Sequence, residues 1–459
     1  MVKYSVDICK MYSTSTLSLR ILRQKFLNHP IPILKRSHDE FIRRGYFGGG
    51  TDVYMAYGEN VHYYDVNSLY PFAMLNPMPH ELINIIKDMS NIKLTDFFGY
   101  CLAEIYCPKH VKPMLPYKYE GKTIYPTGRW IGVYFSEELK AMVELGYNIT
   151  PIRGLEFSKI DLFSDYINHF YDIKKNSFGA ERFIAKMHLN QLYGYFGRKQ
   201  ELLRTVNVHV NDIENYITQN VVKTIIEINP QYYTLLLTEN LASDIVRELT
   251  LRVEQDFKMF ETQIKANVGI AAAVTSYARI HMIPFKNNPY CLYTDTDSTF
   301  TTKKLDEMFV GKEMGMMKDE LGQMKDELNG LVIEEGLFLG IKQYGYWYYD
   351  SNNTRIEKSV FAGVKRDSLT FEEVTKIFNN ETIIKFVPNR FTKSFKNLNI
   401  KIGTSKISIK LNHDKQLINN VYVPIHINEI KHRPSSVLLF KMLNKLKINI
   451  TNLIRKLLK

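Results

Sequence analysis

The sequence predicts an α+β fold divided into several lobes. Strand-like and helix-like segments follow one another without the regular βαβ rhythm of a parallel sheet. At 459 residues the chain is too long for one simple core, which favours two to four subdomains. Because 45% of the residues are hydrophobic, each subdomain can bury a core of its own.

Composition narrows the classes of partner. The formal charge of +12 favours a polyanionic binding partner, either nucleic acid or an anionic membrane. The alternative is that the chain is simply rich in Lys and binds no polyanion. Thirty Tyr and 26 Phe interleave with the basic residues, and this favours nucleic acid because bases stack on aromatic rings. The sequence contains no apolar run of 18 residues, so it predicts no membrane-spanning helix. The four cysteines contain no CxxC pair and are predicted to be reduced thiols: Cys9, Cys101, Cys107 and Cys291.

The N-terminal 26 residues have two interpretations. They are rich in Ser and Thr and poor in acids, as transit peptides are. They also fit an amphipathic helix from about Ser15, with apolar positions at Leu17, Leu19, Ile21, Leu22 and Phe26. We favour the helix.

The remaining elements are predicted in chain order. The glycines of "YFGGG" (46–50) break the chain, an aromatic strand follows at 61–70, and short strands fill 80–158 around a helix capped at Ser136 and stopped at Gly146. Three helical regions are predicted at about 159–195, 239–265 and 267–283. The near-repeat "MKDELGQMKDELNG" (317–330) is interpreted as a duplicated surface turn. A basic stretch at 385–415 and a basic amphipathic helix at the C-terminus complete the chain.

Two strand ends carry carboxylates. Asp295 and Asp297 in "YTDTDS" lie two positions apart, so on an extended chain both face one way. Asp65 closes the aromatic strand before a turn and Pro71. Such carboxylates suit a divalent-ion site, since Mg²⁺ takes few carboxylates together with water and phosphate oxygens. The alternative is that each acid only caps a local turn.

A helical segment supplies the matching positive charge. Arg182 and Lys186 are spaced i, i+4 in "YDIKKNSFGAERFIAKMHLNQLYGYFG", and Asn190 continues their face. Such a row can bind a polyphosphate, whereas a solvated basic face is the alternative. Phe183, Ile184, Leu189 and Leu192 are expected to pack the helix against the protein.

These segments carry a family resemblance. "DVNSLYP" (65–71), "KMHLNQLYG" (186–194) and "YTDTDS" (293–298) resemble motifs A, B and C of family B DNA polymerases, in the correct order. "YFGGG" resembles the Tyr-x-Gly-Gly motif of the protein-primed subgroup, "IKQYGYW" (341–347) its Lys-x-Tyr motif, and "FAGVKRDS" (361–368) the stretch after it. The resemblance covers about residues 15–370, and the relatives it indicates replicate linear mitochondrial plasmids and related viruses.

The resemblance implies roles for individual residues. Asp65, Asp295 and Asp297 would be catalytic, and two Mg²⁺ ions, replaceable by Mn²⁺, would be held by Asp65, Asp297 and the Val66 carbonyl. Tyr70 would exclude a 2′-hydroxyl, which makes the substrate a deoxynucleotide. Nucleotide contacts are expected from Ser68, Leu69, Tyr70, Lys174 (with Lys175 as the alternative), Arg182, Lys186, Asn190 and Tyr193. DNA contacts are expected from Tyr46, Gly48, Gly49, Gly194, Lys342 and Tyr344.

The alternatives for these residues are structural. Tyr193 could simply pack in the core, and the glycines after Tyr46 could form a plain hinge. A surface strand with stacked aromatics would explain Lys342 and Tyr344 equally well.

The implied fold is a right hand with palm, fingers and thumb. The corresponding boundaries are an N-terminal remnant and linker at 1–60, palm with a first insertion at 61–158, fingers at 159–199, a second insertion at 200–266, palm at 267–370 and a basic thumb at 371–459. The implied partners are a DNA template and primer, dNTPs and a terminal protein whose hydroxyl can prime synthesis, with no membrane. Family analogy places the protein in the mitochondrion.

Two departures from the family pattern matter. Gln191 stands where many relatives carry Ser. Only 64 residues precede Asp65, where relatives carry an exonuclease domain of about two hundred residues, so we expect no 3′-5′ exonuclease here. A catalytically inactive DNA-binding remnant is therefore the alternative to an active polymerase. A reverse transcriptase would carry Tyr-x-Asp-Asp, whereas Thr296 separates the two acids here.

Overall fold

The computed structural model describes residues 4–11, 13–198, 203–219, 221–238, 266–310, 324–394, 399–411 and 415–430. The helix predicted at about 239–265, the first half of the near-repeat and the C-terminal helix lie outside these residues. In the described part of the chain no helix is long and apolar enough to cross a membrane. The four cysteines are free thiols, as predicted, and all but Cys9 are buried.

The α-helices of the described residues are α1 (Thr14–Ile21), α2 (Arg36–Arg43), α3 (Leu69–Met74), α4 (Ser136–Glu144), α5 (Ser164–Asn176), α6 (Gly179–Phe196), α7 (Ile213–Gln219), α8 (Val268–His281), α9 (Ile283–Asn287) and α10 (Phe371–Phe378).

The strands up to residue 301 are β1 (Thr51–Val53), β2 (Tyr57–Val66), β3 (Met78–Ile86), β4 (Gly99–Cys107), β5 (Tyr117–Tyr119), β6 (Lys122–Ile124), β7 (Gly128–Phe135), β8 (Asn148–Ile160), β9 (Leu203–His209), β10 (Val221–Asn229), β11 (Tyr232–Thr238), β12 (Cys291–Asp295) and β13 (Ser298–Thr301). They continue with β14 (Met324–Asp326), β15 (Ile333–Gly340), β16 (Gln343–Tyr349), β17 (Arg355–Phe361), β18 (Ile383–Ser394), β19 (Asn399–Ile409), β20 (Gln416–Ile418) and β21 (Val421–Val423).

A central antiparallel sheet gathers strands from distant parts of the sequence. Its order is β1-β12-β13-β2-β15-β16-β17, and β14 also pairs with β2. Aromatic side chains from β12, β13, β15 and β16 pack together on it: Tyr293, Phe300, Phe338 and Tyr344. This layer fixes the strands whose ends carry the candidate carboxylates.

The other sheets are separate from the central one. The order β3-β8-β4-β7 forms a four-stranded sheet within residues 78–160, and β10-β11-β9 forms a three-stranded sheet. Three hairpins pair β5 with β6, β18 with β19, and β20 with β21.

Helix α8 is the central element of the main core. Eleven of its fourteen residues are buried, so neighbouring elements surround it, with α2, α3, α4 and α6 all in contact. Its small residues, including Ala271, Ala272 and Ala273, allow this close packing. The helix predicted at 267–283 is thus confirmed.

Two local predictions need correction, and two others are confirmed. The helical region expected at 159–195 is two helices, α5 and α6, because the chain breaks between them and Gly179 adopts a positive φ of 57°. Ser136 is not a cap but the first residue of α4, and its hydroxyl accepts the Gly99 N–H. Gly146 does end that segment, with φ of 94°. The N-terminal helix is confirmed as α1, with the Ser13 side chain as its cap.

Candidate active site

Asp65 and Asp297 lie on neighbouring strands. Asp65 is the penultimate residue of β2 and pairs with Ser298, the residue after Asp297. Asp297 sits in the tight turn between β12 and β13, and its carbonyl accepts the Val66 N–H at 2.7 Å. The pairing of β2 with β13 brings Asp65 and Asp297, which are distant in sequence, together as one carboxylate pair.

Burial, and repulsion from neighbouring carboxylates, raise the pKa values of both aspartates. Burial, followed by the negative charge of Asp297, raises the pKa of Asp65 to about 7. Burial is also the main cause that raises the pKa of Asp297, and Asp295 adds to it. Lys186 opposes both shifts. A divalent cation would relieve the repulsion, and two carboxylates suit Mg²⁺. Among the described residues no group of three or more His, Cys, Asp and Glu could hold a metal ion.

Asp295 differs from the other two carboxylates. Its oxygens accept the Lys342 ammonium at 2.7 and 2.9 Å, and Thr51 Oγ1 donates to it at 3.0 Å. Its charge is therefore already balanced by the protein. Thr296 and Lys342 both adopt positive φ, 65° and 54°, a conformation that costs about 1 kcal/mol or more at each non-glycine residue.

A further carboxylate, Glu327, was missed from the sequence. Its charge contributes to the raised pKa of Asp65, and Lys325, which pairs directly with Asp65, opposes that shift. Both belong to the second copy of the near-repeat, which is a turn only in part: Met324–Asp326 form β14 beside the candidate site, and residues 327–330 form a turn, as predicted. The repetition of "MKDEL" was the only signal in the sequence, and it did not indicate a position.

Tyr70 and Tyr193 stack at one edge of the site. Their ring centroids are 4.3 Å apart, with 25° between the planes. Tyr70 follows Ser68, which adopts the left-handed conformation (φ 56°, ψ 56°), and the buried Leu69. Burial raises the pKa of the Tyr70 hydroxyl, and hydrogen bonds from Tyr193 and the Gly49 backbone oppose that rise.

Lys174 and Arg182 meet near the same turn. Lys174 is buried and its Nζ donates to Ser68 Oγ at 3.1 Å, whereas Lys175 is exposed. Arg182 Nη1 donates to the Lys174 carbonyl at 2.9 Å. The structure thus brings Lys174, on α5, to the turn that follows Asp65.

Helix α6 presents Lys186, Asn190 and Gly194 to solvent. Lys186 lowers the pKa of both strand-end aspartates, so this face is directed towards them. A Cβ at Gly194 would meet nothing within 4 Å, which leaves open space there. The expected packing of Phe183 and Ile184 was wrong, because they are 62% and 42% exposed.

The buried side of α6 is formed by residues further along the helix, among which Leu189 and Leu192 were predicted correctly. These are Ala185, His188, Leu189, Leu192 and Phe196.

Residues 47–50, here named the glycine loop, are fixed by two buried cations that sequence reasoning missed. Arg279 Nη1 donates to the Phe47 and Gly48 carbonyls at 3.0 and 2.7 Å, and Lys286 Nζ donates to the Gly50 carbonyl at 3.1 Å. Arg279 also forms a buried ion pair with Glu138 at 2.6 Å. No local pattern in the sequence predicts this pairing across 141 residues.

Tyr46 lies beside the end of α6. A Cβ at Gly197 would lie 2.4 Å from the Tyr46 Oη, so a larger residue there would displace the Tyr46 side chain.

Lys342 and Tyr344 are placed differently from each other. Lys342 reaches Asp295, whereas Tyr344 is only 4% exposed and its ring packs 5.0 Å from Tyr293. The Tyr344 ring therefore belongs to the core, not to a surface strand. Its hydroxyl interacts with Arg366.

Comparisons with known proteins agree with these motifs. A family model described as DNA polymerase type B, organellar and viral, matches residues 1–290. A probable DNA polymerase of Podospora anserina is 33% identical over 436 residues, which are 90% of this chain and 35% of that protein. One of Neurospora intermedia is 33% identical over 376 residues, 77% of this chain and 36% of the relative. The chain thus spans about a third of the length of these curated relatives.

A solved structure supports the fold. The Phi29 DNA polymerase, in a ternary complex with primer-template DNA and incoming nucleotide, matches with a TM-score of 0.63 and 18% identity. The match covers 88% of this chain and 68% of that one. It confirms the predicted α+β right-hand fold.

Proposed function

The chain belongs to the organellar and viral DNA polymerases of type B, and from this membership we propose that it is a DNA-directed DNA polymerase acting by two-metal phosphoryl transfer. The observation that carries the proposal is the Asp65–Asp297 pair, whose pKa values are raised and which faces the cationic side of α6. Two buried carboxylates placed together need positive charge nearby. Two Mg²⁺ ions would balance them better than the protein cations that the described residues place near them.

The carboxylates hold the metal. Asp65, Asp297 and the Val66 carbonyl would hold two Mg²⁺ ions, or Mn²⁺ in their place. The ions, when bound, activate the primer 3′-hydroxyl and stabilise the leaving pyrophosphate. Asp295, neutralised by Lys342, keeps the turn between β12 and β13 in position.

The helical side binds the triphosphate. Lys174, Arg182 and Lys186 would neutralise its charge, while Ser68 and Leu69 line the turn beneath it. Tyr70 would stack under the sugar and exclude a 2′-hydroxyl. Asn190 and Tyr193 would line the nascent base pair.

The DNA contacts follow from the same arrangement. The template would be contacted by Tyr46, Gly48, Gly49 and Gly194. The primer end would be contacted by Lys342 and the Tyr344 hydroxyl.

We assign the central sheet and α8 to the palm, α5 and α6 to the fingers, and the β18–β19 hairpin to the thumb. The sheet β3-β8-β4-β7 would form the first insertion and β9–β11 the second.

The finer biology is also proposed. The likeness of "YFGGG" and "IKQYGYW" to protein-primed polymerases supports a terminal-protein hydroxyl as an alternative primer. The family description supports replication of a linear plasmid or virus-like DNA, in the mitochondrion.

Primer extension tests the proposal. With a DNA template, dNTPs and Mg²⁺, the 459-residue chain should extend a primer, and Asp297→Asn should lower the rate by about 10³-fold or more. Asp172→Asn, the same change on the exposed face of α5, is the matched control. Extension by Asp297→Asn at the wild-type rate would refute the metal assignment.

A further inference from the structure

We propose that Lys286 is a positioning residue for sugar selection, because it holds the glycine loop against Tyr70. The inference rests on the proposed function, in which Tyr70 excludes ribonucleotides. Lys286 itself lies on α9, is buried, and bonds the loop through the Gly50 carbonyl.

Tyr70 is supported on two sides. The Tyr193 ring stacks on one face, and the backbone of Gly49 lies at the hydroxyl end. A Cβ at Gly49 would be 2.7 Å from the Tyr70 Oη and 2.5 Å from the Thr296 Cγ2, so the loop backbone is in close contact with both. A 2′-hydroxyl that pushes on Tyr70 therefore pushes on the glycine loop.

The glycine loop cannot resist that push by itself. Three consecutive glycines have more backbone freedom than any other tripeptide. On its outer side a Cβ at Gly48 would meet nothing within 4 Å, so the loop has room to move away. Its rigidity must come from groups outside the loop.

Lys286 provides that rigidity at the C-terminal end. Its side chain is 4% exposed, and its Nζ donates to the Gly50 carbonyl at 3.1 Å. The same carbonyl accepts the Thr296 N–H at 3.0 Å, so one oxygen joins the buried lysine to the turn between Asp295 and Asp297. Burial lowers the pKa of Lys286 to about 8, which shows that this ammonium is costly to keep there.

The consequence is selectivity rather than rate. Without the Lys286 hydrogen bond the loop can yield, Tyr70 can tilt, and a ribose fits with less penalty. A deoxyribose, which never pushes on Tyr70, gains nothing from the change. The loss of one charged hydrogen bond corresponds to about a tenfold fall in discrimination.

The test compares the ratio of kcat/KM for dNTP to kcat/KM for rNTP in the full chain. Lys286→Met removes the donor and retains the length of the side chain. Lys112→Met is the matched control: this half-buried lysine belongs to the same cluster, and its ammonium group bonds the carbonyls of Lys286 and Asn288. Tyr70→Val measures the full effect of the gate. If Lys286→Met fails to fold, Lys286→Leu, which also lacks a donor, is measured in its place.

We expect the ratio to fall about tenfold in Lys286→Met, with kcat/KM for dNTP within about twofold of wild type and no change of the ratio in Lys112→Met. An unchanged ratio in Lys286→Met beside a reduced one in Tyr70→Val would overturn the inference alone. An equal fall in both lysine variants would also overturn it, because general loosening would explain the result. No effect of Tyr70→Val, or no extension by wild type, would overturn the proposed function as well.

Discussion

The sheet side of the candidate site holds its side chains in fixed backbone geometry, whereas helix α6 offers Lys186 and Asn190 on an exposed face. Asp65 and Asp297 are joined by strand pairing and by the bond from Val66 N–H to the Asp297 carbonyl. Burial of the carboxylates, together with repulsion from a neighbouring carboxylate, is the cost of this fixed geometry and raises both aspartate pKa values. The contrast indicates that the proposed metal-binding side is preorganised, and we expect the proposed triphosphate-binding side to adapt to its ligand. Substitutions on the two sides should therefore differ in what they change.

On the adaptable side, Lys186→Met should have the largest effect. Loss of an exposed cation should lower kcat/KM for dNTP by about 10²-fold and leave the Tm unchanged, since the side chain carries little of the packing. Steady-state primer extension and thermal melts measure the two quantities. Lys175→Met, an exposed lysine on α5, is the control. A Tm drop of many degrees would contradict the contrast.

On the fixed side, Lys342→Met should have an intermediate effect. The change leaves Asp295 unbalanced, and since Lys342 lowers the pKa of Asp297, that pKa should rise further. We expect kcat/KM to fall about tenfold at pH 7 and its pH profile to move to higher pH. Lys358→Met, which breaks the exposed ion pair with Asp367, is the control. An unshifted profile would show that Lys342 does not govern these carboxylates.

The smallest expected effect is that of Asp65→Asn on thermal stability. Most substitutions destabilise a protein, whereas this one should stabilise it at high pH. The folded-state pKa of Asp65, about 7, exceeds the ordinary value of 3.8, so the folded protein binds the proton more tightly than the unfolded chain. Stability due to this group is therefore present below about pH 4 and is lost as the pH rises through 7. In metal-free buffer Asp65→Asn should melt a few degrees above wild type at pH 8 and show no gain near pH 4.

Melts across this pH range decide the point, with Asp172→Asn as control. Added Mg²⁺ should raise the Tm of wild type and leave that of Asp65→Asn nearly unchanged. A variant that is less stable than wild type at pH 8 would mean that Asp65 is not under electrostatic strain.

The sequence predicted which motifs meet at the candidate site better than it predicted the residues that hold them in place. Asp65 and Asp297 were expected together because both close apolar strands, and strand ends of one sheet can meet. Leu189 and Leu192 pack as expected, whereas Phe183 and Ile184 were misplaced, because helical spacing alone did not show that they fall outside the packing face of α6.

The supporting groups could not be predicted because their partners are distant in sequence. Arg279 pairs with Glu138, Lys286 bonds the Gly50 carbonyl, and Glu327 approaches Asp65 through β14. Each is a charged residue with no local pattern, and only the assembled fold brings it to the site.

The position of β2 has a consequence for synthesis. This strand, complete at residue 66, lies between β13 and β15, which end at residues 301 and 340. A ribosome adding about 5–20 residues per second needs tens of seconds to make those neighbours. Until then both edges of an aromatic strand are unpaired on the nascent chain and are open to association with other chains. Chaperone binding to the emerging chain should therefore be strongest while residues 67–300 are being translated.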